Sequence, residues 1–250
     1  MDEPNIDSLN NEDNPTPSLN DLASASAGAY NDVPPMNYTR LDAYSNPEIS
    51  TFKHKENYII AHKGTDLSNI NSAKKDVRSD LNIALGNKEA DALHKRRTKN
   101  TERIIKGIKK ESKDANIYLT GSSLGGSTSS HAMASSKYVR DNVKQHDTFN
   151  SGSSALQKAP DVSPEVKEEL MKKSTHHRIK GDAISDHVKD NLIGRVKEYQ
   201  TTKKPTIADH ILKLATPLLK RTFVGRALGY GAKKVLDTLR AHSLTNFIRK

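Results

Sequence analysis

The stretch NIYLTGSSLGG, residues 116–126, joins an apolar run to a turn of small residues. Residues 117–119 are typical of a buried strand, because the run is short, apolar and bounded by turn-forming residues. One glycine stands two residues before Ser123 and another two residues after it, which matches the pattern G-x-S-x-G. By itself this pentapeptide fits an ordinary turn equally well. Its context, a β-rich run before and a small-residue helical run after, predicts a sharp strand–turn–helix unit in which the glycines avoid collisions with the neighbouring strand and helix.

The rest of the chain alternates between strand-like and helix-like patterns. Short apolar runs beside turn-forming residues predict four further strands, at residues 58–61, 148–149, 178–179 and 196–199. Residues 88–110 place apolar side chains on one helical face and Lys and Arg on the other, which predicts a long amphipathic helix. A second helix is expected over residues 127–138. Strands that alternate with helices indicate an α/β fold with a central, largely parallel or mixed sheet flanked by helices.

Charge is divided unevenly along the chain. Residues 1–50 hold nine acidic residues and one basic residue, a net charge of −8, whereas residues 51–250 carry a net charge of +18. Residues 1–45 are rich in Asn, Asp, Ser, Ala and Pro, and they contain too few large apolar side chains to offset the entropy of ordering. We therefore predict a disordered acidic tail over residues 1–45 and one folded, basic domain over residues 46–250.

The composition excludes several classes of chemistry. The chain has no cysteine, which excludes disulfides, cysteine nucleophiles and thiolate metal sites. Its ten histidines come without an H-E-x-x-H motif or a comparable acidic spacing, so we expect neither a metal site nor a cofactor. The chain opens without a signal-peptide pattern, and no apolar run approaches the roughly 20 residues of a membrane helix. We therefore expect a soluble protein.

Residues 117–133, IYLTGSSLGGSTSSHAM, resemble the nucleophile elbow of the class 3, fungal-type lipases. In that α/β-hydrolase family a Gly-His-Ser-Leu-Gly-Gly run is followed by small residues. Five other landmarks of the family occur in the same order: YIIAHKGTD at 58–66, SDLNIALG at 79–86, DTFNSGSS at 147–154, RIKGDAIS at 178–185 and RAHSLTNFI at 240–248. The resemblance covers about residues 50–250. Four departures from the family pattern identify a distant member: Ser122 for His, Lys63 for Arg, and Asn150 and Gly152 for Gly and Pro.

The resemblance implies a Ser-Asp-His triad. A serine hydroxyl is a poor nucleophile at neutral pH, so acyl transfer needs a histidine to accept its proton and a carboxylate to orient that histidine. Ser123 is the expected nucleophile, and His242, near the C-terminus, is the expected base. Asp182 follows a predicted strand and is the preferred carboxylate, while Asp186 remains the alternative. The order Ser, Asp, His is the one found in α/β-hydrolases.

The resemblance also implies an oxyanion hole and a reaction. Its donors would be the backbone N–H of Leu124 together with the backbone and hydroxyl of Thr65. Attack by Ser123 would form an acyl-enzyme, which water activated by His242 would then hydrolyse. We therefore expect a lipase- or esterase-type enzyme that cleaves a carboxylic ester, the substrate being a lipid such as an acylglycerol or a phospholipid.

Residues 206–240 form a basic, helix-like segment in which apolar residues alternate with Lys and Arg. We favour the interpretation that its apolar face covers the sheet, and the other interpretation is peripheral contact with an anionic membrane. The competing function is a catalytically silent binding or structural protein on a hydrolase scaffold, whose basic surface contacts nucleic acid or an anionic membrane. Nucleic acid is not favoured as a partner, because the sequence has no recognisable nucleic-acid motif and few aromatic residues.

Overall fold

A mixed sheet forms the centre of the computed structural model, which describes residues 14–64, 90–152, 162–180, 182, 185, 192–200 and 247–248. Within these residues the sheet has seven strands in chain order: β1 (Thr39–Arg40), β2 (Ile49–His54), β3 (Asn57–His62), β4 (Asn116–Ser122), β5 (Val143–Phe149), β6 (Ser174–Ile179) and β7 (Arg195–Tyr199). Strands β1 to β3 are antiparallel neighbours, and β3 to β7 run parallel. The carboxyl ends of β3 to β7 therefore lie at one edge of the sheet.

The described helices are α1 (Leu19–Gly28), α2 (Ala90–Glu111), α3 (Leu124–Ser135), α4 (Lys137–Asn142) and α5 (Pro164–Lys173). The predicted α/β class is confirmed, and β3 to β7 contain all five predicted strands. Both predicted helices are also confirmed, although the second is divided into α3 and α4 at Ser136, which caps α4 by accepting a hydrogen bond from the backbone of Val139. Strands β1 and β2 and helices α1 and α5 were not predicted.

Helices α2 to α5 all pack on one face of the sheet. They connect parallel strands that are neighbours both in the chain and in space, and right-handed crossovers between such strands put every connecting helix on the same side. Their shared core includes Ile105 and Ile108 of α2, Met133 of α3 and Leu119 of β4, all almost completely buried. Side chains alternate along each strand, so the opposite face carries a second core.

Helix α1 covers that second face. Leu22 and Ala25 pack there with Phe52 of β2, Ile59 of β3 and Phe149 of β5. The helix begins with a capping box, in which the Ser18 side chain accepts a hydrogen bond from the Asp21 backbone and the Asp21 carboxylate accepts one from the Ser18 backbone.

The prediction of a disordered tail over residues 1–45 is therefore wrong for residues 14–45, and residues 1–13 lie outside the described part of the chain. That prediction considered only large apolar side chains as a source of stability. Helix α1 is stabilised by small ones, since Ala23, Ala25 and Ser26 are fully buried and permit a close approach to the sheet.

The basic segment predicted at residues 206–240 also lies outside the described residues. In the described part of the chain, the helices are all too short or too polar to cross a lipid bilayer.

Candidate active site

The candidate site is built around a turn of one residue between a strand and a helix. Strand β4 ends at Ser122 and α3 begins at Leu124, which leaves Ser123 between them with φ 52° and ψ −120°. An L-amino acid rarely adopts such a conformation, which costs about 1–3 kcal/mol. Hydrogen bonds from the next strand hold it: the Ser123 N–H donates to the carbonyl of Phe149, and the Gly152 N–H donates to the carbonyl of Ser123, each at 3.1 Å.

The flanking glycines are required because the backbone is crowded there. A Cβ atom at Gly121 would lie 2.5 Å from the carbonyl of Gly125 in α3, and one at Gly125 would lie 2.1 Å from the carbonyl oxygen of His62 in β3. Both distances are far below any real contact. The predicted strand–turn–helix unit and the predicted steric role of its glycines are confirmed.

Ser123 is a partly exposed residue at this turn. A serine that precedes a helix usually caps it by accepting a hydrogen bond from the second or third backbone N–H. Within the described residues Ser123 makes no such bond, because its positive φ is not the extended conformation that capping needs. Its side chain is therefore not used to stabilise α3.

The start of α3 supplies backbone donors beside Ser123. The first N–H groups of any helix have no acceptor within that helix, and they carry its positive dipole end. Leu124, the first residue of α3, is almost fully buried, so its N–H group lies within the protein next to the serine. The other expected donor, Thr65, lies outside the described residues.

Asp182 lies at the same edge of the sheet as Ser123. It follows β6 by three residues, is fully buried, and its carboxylate accepts a hydrogen bond from the Ser185 N–H at 2.7 Å. Its own N–H donates to the carbonyl of Ile179, the last residue of β6, at 3.0 Å. Strand β6 is two strands from β4, and only β5 separates them.

Among the described residues, three of the sequence-predicted groups lie at the same edge of the sheet. Ser123 and Leu124 adjoin at the turn, and Asp182 follows a parallel strand that ends at the same edge. The predicted base His242, and the alternative carboxylate Asp186, lie outside the described residues.

Among the described residues six histidines are buried, which the sequence patterns did not predict: His62, His94, His131, His146, His176 and His177. The two ring nitrogens of His62 contact the hydroxyls of Thr128 and Thr101, both at 2.9 Å. Burial and the neighbouring Arg97 hold the pKa of His62 well below its usual value. The described residues contain no cluster of side chains that could bind a metal ion.

A second polar network connects β5, β6 and β7 on the α1 face. The Nε2 atom of His177 lies 2.6 Å from a carboxylate oxygen of Asp147, and its Nδ1 atom lies 2.9 Å from the hydroxyl of Tyr199. The carboxylate accepts from the Nε2–H group of His177, and the other ring nitrogen shares a hydrogen bond with the Tyr199 hydroxyl. Burial, followed by the charge of Asp147, raises the pKa of Tyr199. The phenol is therefore held neutral.

Comparison with models of known protein families finds no match to this chain, and a search of curated proteins finds no match either.

Proposed function

We propose that this chain is a serine acyl hydrolase with the α/β-hydrolase fold, and that it cleaves a carboxylic ester of a lipid, an acylglycerol or a phospholipid. The observation that carries the proposal is the backbone of Ser123, with φ 52° in a one-residue turn from strand to helix. An ordinary turn would place glycine or asparagine at such a φ. A nucleophile elbow needs this strained conformation at the serine itself, because the turn projects the hydroxyl from the edge of the sheet.

The order of the strands supports the same proposal. Ser123 follows β4, Asp182 follows β6, and His242 comes after β7 in the chain. Strands two positions apart are separated by about 10 Å, a gap that an imidazole hydrogen-bonded at both nitrogens can bridge. Phe247, five residues after His242, packs on Phe149 at the end of β5, with ring centroids 4.9 Å apart.

In the proposed reaction, Ser123 Oγ attacks the ester carbonyl carbon and transfers its proton to His242, which Asp182 orients. The backbone N–H of Leu124 and the donors of Thr65 stabilise the oxyanion. The carbon–oxygen bond of the ester then breaks, and the alcohol leaves with the proton from His242. Water, deprotonated by His242, attacks the acyl-enzyme, and the carboxylic acid leaves as Ser123 regains its proton.

Labelling with a fluorophosphonate tests this function. We expect the wild-type protein to become covalently labelled at Ser123, and Ser123→Ala to abolish both labelling and ester hydrolysis. The matched control is Ser135→Ala at the end of α3, where the hydroxyl bonds only to the carbonyl of His131 in the same helix, at 2.8 Å. This variant should label like the wild type. Hydrolysis of short- and long-chain esters would then separate an esterase from a lipase.

The charge distribution supports the alternative function, since residues 51–250 carry a net charge of +18. Folded wild-type protein that stays unlabelled, with and without anionic vesicles, would contradict the hydrolase proposal. It would favour a silent binding protein whose partner is nucleic acid or an anionic membrane, and steep salt dependence of nucleic-acid binding would then identify the former. For the enzyme, the favoured interpretation of segment 206–240 remains that it covers the sheet, and sedimentation with anionic and neutral vesicles tests the other interpretation, a peripheral contact with anionic lipid.

A further inference from the structure

The side chain of Tyr30 reaches the ends of two strands that border the candidate site. Its hydroxyl lies 3.2 Å from the hydroxyl of Ser122, the last residue of β4 and the neighbour of Ser123. The same hydroxyl lies against Gly64, two residues after β3, since a Cβ atom built on Gly64 would be only 2.2 Å from it. That Cβ would also be 2.7 Å from the carbonyl oxygen of Ser122. The phenol therefore contacts both chain segments at their closest approach.

Lys63 holds Tyr30 from the β3 side. Its ammonium group donates to the carbonyl of Tyr30 at 3.4 Å and lies 5.8 Å from the centre of the tyrosine ring. The backbone of Lys63 is itself fixed, because its N–H donates to the carbonyl of Glu48 at 2.9 Å and its carbonyl accepts from the guanidinium of Arg97 at 2.5 Å. Tyr30 is thus attached to β3 through its carbonyl and ring and to β4 through its hydroxyl.

The two expected oxyanion donors belong to these same two segments. Leu124 follows the β4 end by two residues, and Thr65 follows Gly64 directly. Backbone pairing between β3 and β4 extends to His62 and Gly121, so beyond that pair a side-chain contact such as that of Tyr30 contributes to the separation of the two segments. An oxyanion hole depends on donors held about 2.7–3.1 Å from one oxygen atom, and a small displacement of either donor weakens it.

We propose that Tyr30 is a positioning residue for acyl transfer at Ser123, because its hydroxyl couples the chain after β3 to the turn after β4. This role rests on the proposed hydrolase function. If Tyr30 has this role, the N-terminal region contributes to the site, because Tyr30 lies in the turn that follows α1. Ser122 is the partner through which Tyr30 acts on the β4 end.

Replacement of Tyr30 by phenylalanine tests the role, because it removes the hydroxyl and keeps the ring beneath Lys63. The loss of one hydrogen bond corresponds to a decrease of about 3- to 10-fold. We expect this decrease in kcat and in the rate of fluorophosphonate labelling, while KM for a soluble ester stays within about twofold and the urea midpoint of unfolding is unchanged. A hydroxyl that served only stability would shift the midpoint and leave kcat unchanged.

The matched control is Tyr38→Phe. Tyr38 belongs to the same core face but packs 5.4 Å from His54, at the opposite edge of the sheet, so this variant should keep the wild-type kcat. Ser122→Ala should lower kcat as much as Tyr30→Phe does, and the double variant should lower it no further. If the wild type is labelled and Tyr30→Phe is labelled at the same rate, the positioning role is overturned and the proposed function stands. An unlabelled wild type would overturn the proposed function and this role with it.

Discussion

Ser123 shows how a strained residue is stabilised by its surroundings. Its φ of 52° is unfavourable locally. Two hydrogen bonds nevertheless hold it, one to Phe149 at the end of β5 and one from Gly152, three residues later. The glycines at 121 and 125 let β3, β4 and α3 approach closely around the same turn. The sequence predicted the turn, because glycine spacing is local. The φ angle could not be predicted from the pentapeptide, since it depends on contacts with β5.

Asp182→Asn tests the proposed triad at the level of one charge. Asparagine keeps a carbonyl oxygen that can accept from the Ser185 N–H, as the carboxylate does at 2.7 Å, so the loop should retain its structure. The amide cannot stabilise a protonated histidine, and by analogy with known triads we expect kcat to fall by about 10⁴-fold. Ester hydrolysis and the circular dichroism of the folded variant are the measurements.

Asp186→Asn serves as the comparison, since Asp186 is the alternative carboxylate. We expect it to change kcat less than about threefold, because Asp182 is the preferred carboxylate. The reverse result, a large loss in Asp186→Asn and a small one in Asp182→Asn, would transfer the orienting role to Asp186.

At the scale of elements, α1 shows what burial of small side chains contributes. Ala25 is completely buried, with a relative exposure of 0%, and the helix packs directly on β3 and β4. Ala25→Leu would force extra methylene groups into this contact, so we expect the free energy of unfolding to fall by about 1–3 kcal/mol. Urea denaturation measures it. Ala27→Leu, at a partly exposed position of the same helix, should change it by less than about 0.5 kcal/mol, and equal effects of the two substitutions would contradict the packing of α1.

The elements differ in how well the sequence predicts them. Helix α2 was predicted because Ile104, Ile105 and Ile108 recur at helical spacing, and all three are buried. Strands β3 and β4 were predicted because continuous apolar runs mark strands that are covered on both faces. Helix α1 was missed because alanine and serine are equally common in disordered chains. Its burial depends on a sheet that forms far away in the sequence.

For the whole molecule, the buried histidines make stability depend on pH. Burial is the main cause that lowers the pKa of His62 and His146 well below the usual value, and it lowers the pKa of His176 to about 4 despite the opposing hydrogen bond to the carbonyl of Ile193. Other groups facing His176 act in both directions, because His177 lowers its pKa and Asp147 raises it.

The folded-state pKa values therefore lie below those of the unfolded chain, so the unfolded state binds more protons as the pH falls below about 6.5. We expect the free energy of unfolding to be largest above about pH 7 and to fall between pH 6.5 and 4. His176 alone would contribute a loss of about 3 kcal/mol over that range. Urea unfolding at pH 8, 6.5 and 5 measures the slope.

A variant can assign this slope to the buried rings. His146→Gln should flatten the pH dependence whatever it does to stability at pH 8, since His146 is fully buried between the hydroxyls of Ser129 and Ser174. Ser135→Ala, which removes no titratable group, should leave the slope unchanged. A wild-type profile that is flat from pH 8 to pH 5 would contradict the prediction. Histidine counts in a sequence could not predict this behaviour, because it depends mainly on burial, which only the fold determines.

The packing of α1 also has a consequence for synthesis on the ribosome. The carbonyl of Leu22 accepts from the hydroxyl of Thr120, and the hydroxyl of Tyr30 meets Ser122, contacts that span 98 and 92 residues of chain. At roughly 5–20 residues per second, the first helix emerges about 5–20 s before its partners in β4 are translated. During that interval only β2 and β3 can cover its apolar face, so the nascent chain needs either a chaperone or contacts with these two strands that form before β4 is made. Nascent chains stalled before and after β4 should therefore differ in how readily a protease cleaves near residue 25.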